Sequence, residues 1–212
     1  MTTYLPSLTL PDAVFNNLPA SIILPIALGS AVGYATKPAT ERRESLALNQ
    51  PPLRPPAAVF PPVWTTLYGL MGYAAHRAFS LGTSPFNKPG TISAARQGST
   101  LYTIQLGINL AWMPLFYGLN RPVLATIDAA ALFGINSYLA WLWATEVDSL
   151  SGWLLTPYVA WLGFATYLSF GTGYLNNWDL SSISAARAKK GEGKKGEGKR
   201  GEGKRGEGKK KA

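Results

Sequence analysis

Residues 123–145 read VLATIDAAALFGINSYLAWLWAT, and Asp128 is the only ionisable residue among them. An α-helix that crosses a lipid bilayer needs roughly 17–25 predominantly apolar residues. This stretch has that length and that character, so it predicts a transmembrane helix. A buried helix of a soluble protein is the alternative, and the flanking sequence decides between the two.

Four further stretches are long and nearly free of charge: 18–35, 59–75, 101–117 and 153–175. Five such segments in succession disfavour a soluble core. Only 15% of the residues are charged and 47% are hydrophobic, whereas a soluble domain carries about a quarter charged residues. The sequence therefore predicts an all-α fold, an integral membrane bundle of five transmembrane helices within residues 18–180, after a short N-terminal segment 1–17.

The C-terminal tail, residues 181–212, has a different composition. It carries twelve Lys/Arg against four Glu, whereas residues 1–180 carry eight Lys/Arg against seven Asp/Glu. From Gly191 it repeats Gly-Glu-Gly-Lys-Lys/Arg without an apolar residue, which predicts disorder. The basic charge belongs to this tail, so it does not indicate nucleic-acid binding by the bundle. The tail suits an anionic lipid surface, and a solvating tail without a partner is the alternative.

The cations of the loops predict the orientation of the bundle. With five spans, the first loop, the third loop and the tail share one side, which holds Lys37, Arg42, Arg43, Arg54 and Arg121. The positive-inside rule places that side, and the C-terminus, in the cytosol. The last four residues, Lys-Lys-Lys-Ala, fit the dilysine pattern of endoplasmic-reticulum retrieval. The endoplasmic reticulum and the mitochondrial outer membrane are both compatible residences.

The first loop, 36–58, contains two proline pairs, Pro51-Pro52 and Pro55-Pro56. Paired prolines hold the backbone in an extended polyproline form. The loop is therefore either a stiff lid across the cytosolic mouth of the bundle or a plain linker, and the residues leave both open.

Several classes of chemistry are excluded or unsupported. The chain has no cysteine, which excludes disulfides and thiolate catalysis, and its single histidine, His76, leaves little material for a metal site. No nucleophile–base pair and no phosphate-binding glycine loop can be recognised. Nothing in the motifs specifies an enzyme or an obligatory cofactor.

Polar and aromatic residues recur at helical spacing on single faces of three spans. Polar groups at membrane depth are expensive and normally point inward, so we expect these faces, and Asp128, to face the bundle interior. The alternative is that these polar groups only pair with neighbouring helices. Aromatic walls with a few polar groups are, however, the usual make-up of a small-molecule site. The candidate site residues are Trp64, Tyr68, Asn109, Trp112, Phe116, Tyr158, Trp161 and Ala165, with Gln105 on the same stripe as Asn109.

Three ordered blocks carry a family resemblance. Residues 55–74 (PPAAVFPPVWTTLYGLMGYA), 105–117 (QLGINLAWMPLFY) and 157–165 (PYVAWLGFA) resemble the translocator protein / tryptophan-rich sensory protein family, also called the peripheral-type benzodiazepine receptor family. The resemblance implies a five-helix bundle, often a homodimer, whose pocket opens toward the cytosol and binds tetrapyrroles (protoporphyrin or haem) and aromatic drugs. Animal members also bind cholesterol.

The resemblance also carries residue roles. The pocket positions of the family fall on Trp64, Tyr68, Asn109, Trp112, Trp161 and Ala165, and bacterial relatives use the positions of Trp64 and Trp161 in light-dependent porphyrin breakdown. Ser169 departs from the family, which usually has Asn after the leucine. No cation follows Tyr174, so the animal sterol pattern is not met there. A receptor or sensor for porphyrin, haem or sterol is the leading interpretation, with a transporter or a porphyrin-degrading enzyme as alternatives.

Overall fold

A computed structural model describes residues 4–44 and 48–179, and within these ranges the chain is helical with no strand. The predicted all-α fold is confirmed. The tail and its predicted disorder lie outside the described residues. Single turns of 3₁₀-helix occur at Pro6–Leu8 and Ala57–Val59. The α-helices are α1 (Asp12–Asn16), α2 (Leu18–Glu44), α3 (Phe60–Gly82), α4 (Pro89–Met113), α5 (Pro122–Glu146) and α6 (Ser149–Leu175).

The five long helices, α2 to α6, each carry one of the predicted spans. Two of them contain stretches that are long and apolar enough to cross a membrane by hydropathy, Leu18–Glu41 in α2 and Pro122–Glu146 in α5. The shortest of the five is α3, with 23 residues. At about 1.5 Å per residue, this helix is about 35 Å long. That length matches a hydrocarbon core of about 30 Å.

Two helix boundaries differ from the sequence prediction. Helix α2 continues through Pro38 to Glu44, so the predicted start of the first loop at residue 36 is wrong. Helix α4 begins at Pro89, twelve residues before the predicted span, because proline is well suited to a first helical turn. In both places charged residues, such as Arg96, suggested a loop although they lie on a helix.

Helix α4 is followed directly by a π-helical turn, Pro114–Gly118. Pro114 lacks the N–H that would continue the α-helical ladder, and the Leu119 N–H donates to the Pro114 carbonyl at 2.8 Å. The chain therefore changes from α- to π-helix at Pro114. The wider turn carries the side chains of Phe116 and Tyr117.

Small residues let the helices approach closely. A β-carbon on Gly152 of α6 would lie 2.5 Å from the Ala140 carbonyl oxygen of α5, and one on Gly72 of α3 would meet the backbone of Ser21 in α2. On α2, Gly29 faces the ring of Tyr68, whereas Gly33 has open space around it. Of these two glycines, only Gly29 serves packing among the described residues.

The bundle has two ends with different closures. The N-terminal end contains residues 4–17, the α3–α4 connection and the α5–α6 connection. The proline-loop end contains residues 48–56, the π-helical turn and the last turns of α6. Both names are kept below.

A layer of four aromatic rings closes the N-terminal end. Phe15 of α1 stacks on Phe79 at 5.2 Å between ring centroids and meets the edge of Tyr102 at 5.8 Å, and Tyr102 stacks on Trp143 at 6.4 Å. All four rings are buried, Phe15 and Trp143 to within 1% exposure. Trp143 lies inside the bundle and not in an aromatic belt at the membrane surface, because Gly98 on α4 leaves room for its indole.

Hydrogen bonds fasten the N-terminal segment across this layer. The Leu5 and Leu10 N–H groups donate to the Thr100 and Thr103 hydroxyls on α4, at 3.2 and 3.0 Å. His76 Nδ1 lies 2.6 Å from the Phe15 carbonyl oxygen, so it is placed to donate to it. His76 therefore tethers the N-terminal segment to α3.

An ion pair joins α3 to the start of α6 at the same end. Arg77 Nε and Nη2 donate to the two carboxylate oxygens of Asp148 at 2.7 and 3.2 Å. Asp148 also caps α6 by accepting from the Ser151 N–H at 2.9 Å. The Arg77 guanidinium, and then the Ser151 hydrogen bonds, hold the pKa of the Asp148 carboxyl below its usual value against the opposing effect of burial.

Candidate functional site

The centre of the bundle contains a hydrogen-bonded network that joins α3, α4 and α6. The Tyr68 hydroxyl donates to Asn109 Oδ1 at 2.6 Å, and Asn109 Nδ2 donates to the Tyr158 oxygen at 3.0 Å. The Tyr158 hydroxyl in turn donates to Gln105 Oε1 at 3.0 Å. Each hydroxyl or amide therefore orients the next, and the structure brings three of the predicted site residues, Tyr68, Asn109 and Tyr158, into direct contact.

Helix α5 joins this network through Asn136. Its Nδ2 donates to Gln105 Oε1 at 3.3 Å and to the Leu132 carbonyl oxygen at 2.9 Å. Gln105 and Asn136 both have 0% exposure. Sequence analysis did not single out Asn136, although a lone amide in an apolar span is the same signal that identified Asn109.

Aromatic rings line the network on the side of the proline-loop end. The Trp64 ring lies 5.5 Å from the Tyr68 ring and meets the Tyr158 ring edge-on at 6.2 Å. Trp161, one turn beyond Tyr158 on α6, contacts Phe60 at 5.9 Å between centroids. Trp64 and Trp161 pack against the main hydrophobic core from its edge and remain half-buried.

Trp112 and Phe116 belong to a separate cluster. Their rings stack at 5.1 Å with an interplanar angle of 10°, and Tyr117 lies edge-on to both. Leu48, from the residues before the proline pairs, packs into the same cluster. The predicted single stripe on the third span is thus divided between the central network, which holds Gln105 and Asn109, and this cluster.

Several polar atoms at this end are buried without a hydrogen-bond partner among the described residues. They include the indole Nε1 of Trp112 and of Trp161, one carboxylate oxygen of Asp128 (Oδ2) and the Ser169 hydroxyl. Asp128 is only half-buried, so its expected inward orientation holds for that oxygen alone. Ala165 is half-buried one turn beyond Trp161. The indole groups can only donate, so a guest here needs hydrogen-bond acceptors.

The proline loop lies along the last turns of α6. The Asn49 N–H donates to Asn176 Oδ1 at 3.2 Å, and Asn176 Nδ2 donates back to the Asn49 carbonyl at 2.9 Å. The Tyr167 hydroxyl donates to the Pro52 carbonyl oxygen at 3.0 Å. Pro51 is buried and faces Gly171, where a β-carbon would lie 2.7 Å from its ring. The loop is thus docked on the bundle.

Comparison with known sequences places this arrangement in a family. Residues 21–175 match the sequence profile of the TspO/MBR family. The chain belongs to the TspO/MBR family. Its members are helical membrane proteins, which agrees with the helical fold and the apolar segments described above. The residues before Ser21, which include the Phe15 layer, lie outside the matched range.

Named relatives extend over most of the chain. The translocator protein homolog of Schizosaccharomyces pombe is 41% identical over 164 residues, 77% of this chain and 94% of that protein. The human translocator protein is 35% identical over 144 residues, 68% of this chain and 80% of that protein. The tryptophan-rich sensory protein of Cereibacter sphaeroides is 35% identical over 130 residues, 61% and 74% of the two chains.

Proposed function

We propose that this chain is a membrane receptor or sensor that binds a large planar ligand, porphyrin or haem, at the proline-loop end of the bundle. The observation that carries the proposal is the pair of buried indole N–H groups of Trp112 and Trp161, which have no partner among the described residues. A tetrapyrrole offers flat faces for the rings and carboxylate acceptors for these donors. The names of the relatives, translocator protein and tryptophan-rich sensory protein, agree with such a role.

We propose further that all five long helices cross the membrane. Helices α3, α4 and α6 contain many hydroxyl residues, which lower their hydropathy. Several of these hydroxyls donate to the carbonyl one turn earlier, as Thr65 does to Pro61 at 2.9 Å and Thr166 does to Leu162 at 2.8 Å. A hydroxyl satisfied within its own helix costs little in lipid, because no free donor remains.

The proposed orientation puts the proline-loop end and the C-terminus in the cytosol, by the positive-inside rule, in the mitochondrial outer membrane or the endoplasmic reticulum. The proline loop then acts as a lid over the site, supported by its bonds to Tyr167 and Asn176. A homodimer is compatible with the open surface at Gly33. The basic tail, a sequence feature, is proposed to lie on anionic lipid.

A direct test is an absorbance titration of the detergent-solubilised protein with protoporphyrin. We expect a saturable shift of the porphyrin band that weakens by roughly tenfold, about 1.4 kcal/mol, in each of Trp64→Ala, Asn109→Ala and Trp161→Ala. Trp153→Ala, at an exposed position of α6, serves as the matched control. Unsaturable uptake, or equal binding by all the variants, would remove the proposal.

Transport is a weaker candidate because the aromatic layer of Phe15, Phe79, Tyr102 and Trp143 closes the opposite end of the bundle. A liposome flux assay separates the two functions, since a receptor saturates whereas a carrier turns over. Light-dependent porphyrin breakdown needs the same tryptophans as binding. A new absorbing product that requires light, oxygen, Trp64 and Trp161 would favour that enzyme.

A further inference from the structure

The seam between α4 and α5 contains two fully buried amides with unused hydrogen-bonding capacity. Gln105 and Asn136 have 0% exposure. Gln105 Nε2 and Asn136 Oδ1 nevertheless have no hydrogen-bond partner in the described part of the chain. A buried polar group left unsatisfied costs about 1–3 kcal/mol, and here a donor and an acceptor occur on a pair of residues that touch each other.

The orientation of both amides is fixed by their other bonds. Asn136 Nδ2 donates to the Leu132 carbonyl at 2.9 Å, so turning this amide over would set its oxygen against another oxygen. Gln105 Oε1 accepts from the Tyr158 hydroxyl and from Asn136 Nδ2, at 3.0 and 3.3 Å. Turning that amide over would set two N–H groups against each other. With both amides held in these orientations, the Gln105 Nε2 donor and the Asn136 Oδ1 acceptor stay unused.

The chemistry of a guest at this position follows from the two free groups. It must accept from the Gln105 NH₂ and donate to the Asn136 oxygen. A cation would face the amide hydrogens and an anion the amide oxygen, and the described residues contain no group of three acidic or histidine side chains that could hold a metal. The buried side chains of Leu132 and Leu139 make the surroundings apolar, so a charge is disfavoured. An uncharged hydroxyl meets all these conditions.

We propose that Gln105 and Asn136 form a binding site for one O–H group, that of a water molecule or of a small alcohol, between α4 and α5. The guest accepts from Gln105 Nε2 and donates to Asn136 Oδ1. It completes the network that begins at Tyr68 and so fixes the floor of the aromatic site. The site does not depend on the identity of the porphyrin or other ligand proposed above.

The test is nuclear magnetic resonance of the full chain in detergent micelles, with ¹⁵N-labelled glutamine and assigned side-chain amides. In the absence of added ligand, we expect the Gln105 NH₂ protons to show a nuclear Overhauser cross-peak to a long-lived water. Gln97, whose side chain bonds Tyr138 at the surface, is the matched control and should show no long-lived water. The water cross-peak at Gln105 should be lost in Asn136→Leu, whereas Asn87→Leu, in the α3–α4 connection, should retain it.

Titration with octan-1-ol, and with octane as its hydroxyl-free control, separates the two sources of the hydroxyl. A water cross-peak that persists with both compounds assigns the site to water. A water cross-peak replaced by one to the alcohol, with octan-1-ol alone, assigns it to a hydroxyl-bearing guest. If neither water nor octan-1-ol gives a cross-peak to the Gln105 amide of the folded wild-type protein, the proposal is overturned.

Discussion

The two ends of the bundle are both rich in aromatic residues, yet they differ in how completely those residues are buried. At the N-terminal end, Phe15, Phe79, Tyr102 and Trp143 pack into a buried layer held by a segment outside the family match. At the proline-loop end, Trp64, Trp112 and Trp161 stay half-buried. Buried indole N–H groups without a partner in the described residues occur at both ends, on Trp143 at the first and on Trp112 and Trp161 at the second. Packed rings fill the first end, whereas partly exposed ring faces at the second are open to a guest.

The difference shows that aromatic content alone does not identify a site. What separates the ends is the partly exposed ring faces of the proline-loop end, which lie beside the polar network from Tyr68 to Gln105.

Removing the ring at the centre of the N-terminal layer should have the largest effect on stability. Phe15→Ala is expected to lower the free energy of unfolding by about 3–5 kcal/mol, the usual cost of truncating a buried phenylalanine. Thermal unfolding in detergent measures it. Phe86→Ala, at a ring that is 99% exposed, is the matched control and should change stability little. An equal response of the two variants would show that the layer does not close this end.

A β-branched side chain at Gly29 should weaken the proline-loop site. It would meet the ring of Tyr68 and displace the hydroxyl that bonds Asn109. We expect Gly29→Val to weaken protoporphyrin binding by roughly tenfold, about 1.4 kcal/mol. Gly33→Val, four residues on with open space around it, should bind normally. A loss of affinity in Gly33→Val alone would contradict the assignment of Tyr68 to the site.

Loosening the proline loop should have a smaller effect, confined to kinetics. Tyr167→Phe removes the hydrogen bond to the Pro52 carbonyl, which is worth about 0.5–1.5 kcal/mol. If the loop is a lid, protoporphyrin should leave the protein a few-fold faster in stopped-flow displacement. Tyr138→Phe, whose hydroxyl contacts Gln97 elsewhere, is the control. Unchanged release in Tyr167→Phe would favour the plain-linker interpretation.

The ion pair at the N-terminal end should give the smallest effect, a dependence on acid. Arg77 lowers the pKa of Asp148 in the folded protein. The stabilisation that this ion pair gives to the folded state is therefore complete above the pKa of Asp148 in the unfolded chain, about 3.9. It is lost as the pH falls through the lower folded value. The unfolding temperature should therefore drop below about pH 4 more in the wild type than in Asp148→Asn. Parallel profiles would mean that the pair contributes nothing measurable.

The sequence predicted more of the fold than of the site. Long apolar stretches identified a helix for each of α2 to α6, because the length requirement of a membrane span is strict. Hydropathy alone selects α2 and α5, since hydroxyl and aromatic residues in the other helices reduce it. The boundaries at Glu44 and Pro89 were missed because charged residues were taken as loop signals.

Spacing on single helices predicted which residues face inward but could not predict their partners. The contact of Tyr68 with Asn109 depends on how α3 packs against α4, which no single-helix pattern contains. The separate cluster of Trp112 and Phe116 includes Leu48 from the first loop, and spacing within one helix does not predict that contact. The layer around Phe15 was missed because the N-terminal segment shows neither a span nor a motif.

The most direct test of a ligand site at the proline-loop end compares tryptophan quenching at the two ends of the bundle. Protoporphyrin would be titrated into the wild type, the Trp64→Phe/Trp161→Phe double variant and Trp153→Phe, whose indole is exposed on α6 near the N-terminal end. We predict saturable quenching in the wild type and in Trp153→Phe, with binding weakened at least roughly tenfold in the double variant. Quenching that is unsaturable and equal in all three proteins would mean that porphyrin only partitions into the micelle, and it would contradict a site at the proline-loop end.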